Sequence, residues 1–394
     1  MDKTTYHTEQ GALVFSLPQR VDSSSAPEVE HAIEEARAMH PVCPVVLDCT
    51  ALEYISSSGL RVILRLKKAV RDTRMIEVSS EVYEILEMTG FTEMMEIRKA
   101  FRIFSTEGCE IIARGANGTI YRIDPETIVK AYRNPDALDE IRTEQQLART
   151  AFILGIPTAI PYDVVRIADG GYGTVFELLD AMPLSTLLRE GKLPLEAAAE
   201  QSIALLKSIH STEVKPGSIP DMRTIALNWA AFLKDYLEPE LSEKLGSLLS
   251  AMPEDLHMLH GDYHIRNILL QNGELLLIDM DTLCHGHPVF ELASMYNDYV
   301  GYGELDPSVS SDFFGISQET ATEFWNRSLH LYCSGMDEDT IRTIGEKAQI
   351  LGCVRAMRRR IRRNGFADEA GRAEIENCRR HLRELLPKYD SLLF

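Results

Sequence analysis

The chain lacks the marks of several protein classes. No apolar stretch approaches the roughly 18 residues that cross a bilayer. The opening Met1-Asp2-Lys3-Thr4-Thr5-Tyr6-His7 has no apolar core of a signal peptide. Cysteine is sparse and unpatterned, with seven residues in 394 and no Cys-x-x-Cys pair. A disulfide framework or a zinc site is therefore not expected, and the sequence reads as that of a cytoplasmic protein with no membrane association. Positive charge is also short: 41 Lys and Arg stand against 60 Asp and Glu, a net charge of −19. Such a chain repels nucleic acid and favours cationic partners or substrates. One local exception is the run Arg355, Arg358, Arg359, Arg360, Arg362 and Arg363. That run reads as a solvated helix face or one paired with acidic neighbours, with a docking surface for phosphate or an acidic partner as the other possibility. Repeats and low-complexity tracts are absent, so the length implies two or three ordinary domains.

The densest chemistry lies in His260-Gly261-Asp262-Tyr263-His264-Ile265-Arg266-Asn267, followed by Ile268-Leu269-Leu270 and Leu275-Leu276-Leu277-Ile278-Asp279. Between the two apolar runs, Asn272-Gly273 supplies the positive φ angles of a two-residue turn, so the runs predict a β-hairpin. Asp262 and Asn267 then enter the hairpin and Asp279 leaves it. Phosphoryl transfer asks for such a set: a base to orient a hydroxyl and oxygen ligands for magnesium on nucleotide phosphates. A metal reading is also open, since His260, Asp262 and His264 alternate. Asp281 could reach a second cation. His285 and His287, flanked by Gly286 and Pro288, read as part of a turn.

Upstream, Arg114-Gly115-Ala116-Asn117-Gly118-Thr119 lies between strand-like runs, and its glycines let backbone approach phosphate oxygens. It is not a P-loop, because no Gly-Lys-Ser/Thr follows. Lys130 sits in the apolar strand Thr127–Tyr132, where a lysine needs a partner unless it snorkels from an edge. The helix predicted over 135–154 offers Glu140 and Glu144. Glu144 is favoured, because Leu147, Ala148 and Ala151 put its neighbourhood on the apolar face. Beyond residue 181 helical periodicity dominates, through helices expected over 318–333, 337–363 and 369–386.

His-Gly-Asp-x-His-x-x-Asn followed by Ile-Asp resembles the aminoglycoside phosphotransferase and choline kinase family, relatives of the protein kinases. The resemblance implies Asp262 as catalytic base and Asn267 and Asp279 as magnesium ligands. It implies Lys130 on the α- and β-phosphates of ATP, set by Glu144, with Gly115, Asn117 and Gly118 covering the phosphates. It also implies a hinge near Glu177 and Leu179 whose backbone holds adenine. Where the family has Gly-Asp-Pro-x-x-Asp-Leu-Ala, this chain has His287 and Glu291 in place of the two acids.

The first hundred residues alternate strand and helix, which predicts a sheet covered by helices. Ser25 is expected to cap a helix opening with Pro27 and Glu28. A second helix is expected to begin around Gly59-Leu60. Ser56-Ser57-Ser58 precede it, and they read as N-capping hydroxyls or as a phosphate-accepting helix end. Val45-Val46-Leu47-Asp48, Ile55-Ser56-Ser57-Ser58-Gly59-Leu60, Val78-Ser79-Ser80-Glu81-Val82 and Leu86-Glu87-Met88-Thr89-Gly90-Phe91 resemble the STAS domain of anti-sigma-factor antagonists. That resemblance makes Ser57 a candidate for phosphorylation, with Ser56 standing where the antagonists carry Asp.

Together these imply an α+β multidomain protein. An STAS-like domain (1–100) precedes a two-lobed kinase-like domain with an antiparallel-sheet small lobe (101–180) and a helical large lobe (181–394). The expected activity is ATP- and magnesium-dependent transfer of a phosphoryl group to a hydroxyl of a small molecule or a protein serine, with a possible protein partner at the STAS domain. The alternative is a nucleotide-binding regulator without turnover.

Overall fold

The computed structural model describes residues 4–9, 11–115 and 118–394. They form two compact units. The first ends at Glu107 and also takes in Val164–Gly173, and the second comprises Gly108–Asp163 and Thr174–Phe394. The stretch 164–173 joins the first unit because Val165, Arg166 and Ile167 pair in parallel with Arg102, Ile103 and Phe104.

In the first unit the strands Thr5–Glu9, Ala12–Ser16, Val45–Asp48, Thr73–Val78 and Ile97–Lys99 lie side by side in chain order. The first pair is antiparallel and the others are parallel. Period-two alternation sorts their side chains. Leu13, Phe15, Leu47 and Met75 are buried with Val29, Ile33, Val62, Ile63, Val82 and Leu86 of the connecting helices, while Ala12, Val14 and Val46 form a smaller cluster. The helix Ser57–Ala69 starts two residues earlier than the sequence suggested. Ser56 is its N-cap, and the Ser56 hydroxyl accepts a hydrogen bond from the Ser58 N–H at 3.1 Å. Ser57 is exposed at the first helical position. Gly59 is required sterically, since a Cβ there would stand 2.7 Å from the Val21 carbonyl oxygen. Ser25 does not cap the helix Ala26–Met39 with its side chain. Its hydroxyl instead donates to the Arg20 carbonyl and accepts from the Asp22 N–H, because the preceding turn offers those partners first.

The second unit begins with antiparallel strands Ile111–Arg114, Gly118–Arg122 and Thr127–Tyr132, in a register that places Ile120 opposite Lys130. The helix Leu138–Ile153 follows, three residues later than expected. Asn134 opens a turn there by accepting the Asp136 N–H, which delays the first helical residue. The rest is mainly helical, and it encloses two cores: one around Leu206, Tyr263, Tyr299 and Phe324, the other around Leu233, Leu249, Val354 and Leu382. Between helices stands the predicted hairpin, Ile268–Gln271 with Glu274–Leu277. Asn272 and Gly273 have φ of 52° and 89°, as its turn requires. Among the described residues no helix is long and apolar enough to cross a membrane.

Candidate active site

Four segments of the second unit meet: the strand Thr127–Tyr132, the helix Leu138–Ile153, the loop 260–267 with its hairpin, and the helix Glu338–Arg362. Lys130 is at the centre. Its ammonium donates to Glu144 at 2.9 Å and to Asp279 at 3.1 Å, the latter across 149 positions of chain. Glu144 is buried among Ile141, Leu147 and Ala148, as the periodicity of its helix predicted, and it also accepts from the Tyr132 hydroxyl. Glu140 is turned away, onto Asn134. Burial works against the Lys130 charge, but Asp279 and Glu144 outweigh it and hold the ammonium protonated well above its ordinary range.

The loop 260–267 is fastened from several sides. Glu291, fully buried in the helix Val289–Tyr299, accepts the N–H groups of His260 at 2.6 Å and Gly261 at 3.0 Å. Burial opposes the Glu291 charge, yet His210 and these N–H groups hold its carboxyl below its usual range. Gly261 has φ of +83°, and a Cβ there would stand 2.3 Å from the Thr282 carbonyl, so only glycine fits. The His260 ring contacts the Ile278 carbonyl at 3.1 Å, the Tyr263 hydroxyl donates to the Ser202 carbonyl, and the Ile265 N–H donates to the Tyr299 hydroxyl. His287 accepts the Val289 N–H. The two residues that depart from the family pattern thus serve the loop and the helix that follows. His285 contacts the Asp255 carbonyl.

Asp262 leaves this loop with its carboxylate 36 % exposed. Arg355 donates to it at 3.3 Å, and also to the Gly261 carbonyl at 2.7 Å and the Ser294 hydroxyl at 2.8 Å. His264 stands 3.6 Å from its other oxygen. Burial would raise the Asp262 pKa, but His264 beside it and the charges of Arg355 and His260 hold it well below the carboxylate range. Asn267 turns its amide nitrogen to the Asp262 carbonyl at 3.1 Å, which leaves its amide oxygen as the donor for a cation. Its carbonyl accepts the Ile278 N–H, so Asn267 and Asp279 sit across the base of the hairpin. Asp279 has the left-handed backbone φ of 66°, an uncommon state for a non-glycine. An amide oxygen and a carboxylate are hard donors and fit magnesium.

Gly118 is demanded by strand approach, since a Cβ would meet the Ala131 carbonyl at 2.2 Å, whereas a Cβ at Gly115 would make only an ordinary contact with the Gly118 carbonyl at 3.8 Å. Asn117 lies outside the described residues. Glu177 ends the strand Tyr172–Glu177, and Leu179 follows it. Between them the Leu178 N–H donates to the Glu126 carbonyl.

Residues 108–318 match the model of the phosphotransferase enzyme family, over half the chain. The chain belongs to that family. Residues 3–108 match the STAS domain. That part is 32 % identical over 99 residues to a putative anti-sigma factor antagonist, BtrV, of Bordetella bronchiseptica, covering 24 % of this chain and 84 % of that protein. Solved structures similar to the chain include the gentamicin complex of the aminoglycoside phosphotransferase APH(2″)-IIa. It is 15 % identical, with 77 % of this chain and 96 % of that one covered and a TM-score of 0.45. Another is a choline/ethanolamine kinase family protein of Mesorhizobium loti, 13 % identical, with 71 % and 88 % covered and a TM-score of 0.47.

The phosphotransferase unit also contains groups that sequence reasoning passed over. Arg355 was one of six arginines with no reason to be singled out. Tyr132 and Asp298 carried no motif. His264 belongs to the family-like motif and to the metal-ligand alternative, but neither reading gives it a role beside Asp262. Alternation along the strand, Lys130 then Tyr132, was the one signal that could have found Tyr132.

Proposed function

We propose that this phosphotransferase moves the γ-phosphoryl group of ATP to an alcohol hydroxyl, with magnesium, and that the STAS domain serves as its regulatory, partner-binding module. Asp262 orients the acceptor hydroxyl and takes its proton. Lys130, set by Glu144, neutralises the α- and β-phosphates, and Gly115 and Gly118 lie over them. The backbone at Glu177 and Leu179 holds adenine. Asn267 and Asp279 hold magnesium, which when bound supplies charge neutralisation on the phosphates. The remaining acceleration comes from positioning and from fixed charge. One observation carries the reading: Lys130 joins Glu144 and Asp279, residues far apart in sequence, beside the loop that holds Asp262 and Asn267.

Two acceptor classes meet this description, a small hydroxylated molecule and a protein serine, for which Ser57 is the candidate in this chain. Mass spectrometry of the purified protein with and without magnesium-ATP separates them, since phosphate on Ser57 identifies the protein acceptor. Asp262→Asn tests the chemistry. Turnover is expected to fall by about 10²–10⁴-fold with ATP binding nearly intact, and unchanged turnover removes Asp262 from the role of base.

A further inference from the structure

The six arginines at residues 355–363 differ in their partners. Arg360 pairs with Asp368 at 2.9 Å and Glu374 at 3.3 Å. Arg358 lies over the Trp229 ring. Arg355 is occupied by Asp262, Gly261 and Ser294. Arg359 is one helical turn beyond Arg355 on the same face, about 6 Å along the axis. It donates to the Tyr302 hydroxyl at 3.2 Å and lies over that ring at 5.6 Å. Arg266, between Asp262 and Asn267, lies over the Phe313 ring at 4.4 Å. Among the described residues no carboxylate stands within ion-pair distance of Arg359 or Arg266. Tyr302 and Phe313 both belong to the segment 301–314 that follows the helix Val289–Tyr299.

A second observation marks the same place. Nδ1 of His264 and Oδ2 of Asp298 are buried with no hydrogen-bond partner. His264 is 4 % exposed and touches both Asp262 and the Phe313 ring. Asp298 feels the charges of Asp262, His264, Arg355 and Arg359. Buried polar atoms left without partners point to a polar ligand. Asp262 already has cations facing it in His264 and Arg355. Among the described residues, Arg359 and Arg266 are thus cations beside the base that no carboxylate pairs with, in spite of the chain's net charge of −19. A cationic amino alcohol would be repelled there. A carboxylate or phosphate would meet planar guanidinium forks supported by aromatic rings.

We propose that the phosphoryl acceptor is a small hydroxyl compound bearing a carboxylate or phosphate group, with its hydroxyl at Asp262 and its anionic group between Arg359 and Arg266. This rests on the phosphotransferase reading above and names its substrate class. In the step itself the acceptor oxygen bonds to the γ-phosphorus. The bond from that phosphorus to the β–γ bridging oxygen breaks, ADP leaves with the electron pair, and the hydroxyl proton passes to Asp262.

The test uses full-length protein, magnesium-ATP and four acceptors on one carbon skeleton: glycerate, glycerol phosphate, glycerol and aminopropanediol. ADP formation is followed. The two anions are expected to exceed the neutral and cationic compounds in kcat/KM by about tenfold or more. Arg359→Glu flattens or inverts that order. Arg342→Glu, which makes the same charge change at the far end of the same helix, keeps it. Preference for glycerol or aminopropanediol, or an order unaltered by Arg359→Glu, overturns the proposal. If no compound yields ADP, turnover of this skeleton is excluded, the phosphotransferase reading is left to the Ser57 and Asp262→Asn tests above, and the anion site is read by calorimetry. Binding of glycerate or glycerol phosphate that weakens about tenfold or more in Arg359→Glu sustains the site, whereas absent or unaltered binding overturns it.

Discussion

Replacing Arg355 by Met probes the state of the base directly. At 3.3 Å the Arg355–Asp262 pair would contribute about 5 kcal/mol at an effective dielectric near 20. The Asp262 carboxylate is 36 % exposed, so solvent reduces the attraction to about 1–2 kcal/mol. Each 1.4 kcal/mol or so is about one pH unit of proton affinity. Asp262 must be ionised to accept the hydroxyl proton, and it is held below the carboxylate range. In the native protein, activity is therefore retained until the pH falls well below that range. In Arg355→Met the acid limb of kcat/KM moves up by about one pH unit. The assay is ADP formation across pH under magnesium-ATP, with circular dichroism to confirm the fold. A variant that loses activity at every pH but keeps the native acid limb would show that Arg355 only braces the loop through Gly261 and Ser294, and the electrostatic argument would fall.

Three further outcomes follow from the same contacts. Glu144→Gln leaves Lys130 with Asp279 alone and should lower kcat/KM by about 10²-fold, mostly through KM for ATP; an unaltered KM in nucleotide titrations would refute the pairing. Gly261→Ala forces a Cβ against the Thr282 carbonyl and should cost about 2 kcal/mol or more in urea unfolding, with turnover lost as the loop shifts. Burial and the charge of Asp262 push the Asp298 carboxyl up to about 7. Its folded-state proton affinity exceeds that of the unfolded chain, so ionising it weakens the fold as pH rises from about 4 to about 7. Asp298→Asn should thus stabilise the protein by about 1–3 kcal/mol at pH near 8 and by nothing near 4; a gain independent of pH in thermal unfolding would reject that assignment.

Much of the site was legible because its parts are local. Asp262, Asn267 and Asp279 lie within one loop and hairpin, and Asn272-Gly273 announces the turn that joins them. Glu144 was separable from Glu140 because helical periodicity says which of two glutamates faces the core. The STAS sheet was legible from alternating strands and helices. Other choices depend on tertiary approach. Nothing in Gly118 itself tells that the Ala131 carbonyl crowds it, and nothing in Ser25 tells that Arg20 and Asp22 claim its hydroxyl before the helix can. Glu291 looked like a departure from the family's aspartate, and only the folded contact with two loop N–H groups gives it a purpose. Selection among like residues was least legible. Six arginines in nine positions share a composition, and only the packing of the helix Glu338–Arg362 against Ser294 and Gly261 decides that Arg355 reaches the base.

That packing has a consequence for how acceptor choice and base strength change together. Arg355 and Arg359 stand one turn apart on a single helix, the first on Asp262 and the second on Tyr302. A rigid helix cannot move one guanidinium without moving the other. A substitution that tilts the helix to admit a different acceptor also lengthens the Arg355–Asp262 contact and raises the proton affinity of the base. Variants selected for a new acceptor by changes along this helix should therefore show a shifted acid limb as well as a new specificity. Changes confined to the segment 301–314, which carries the rings but not the arginines, should alter specificity with the limb in place. Finding both effects from substitutions in either element would mean that the base senses the acceptor pocket through the segment 301–314 rather than through the helix.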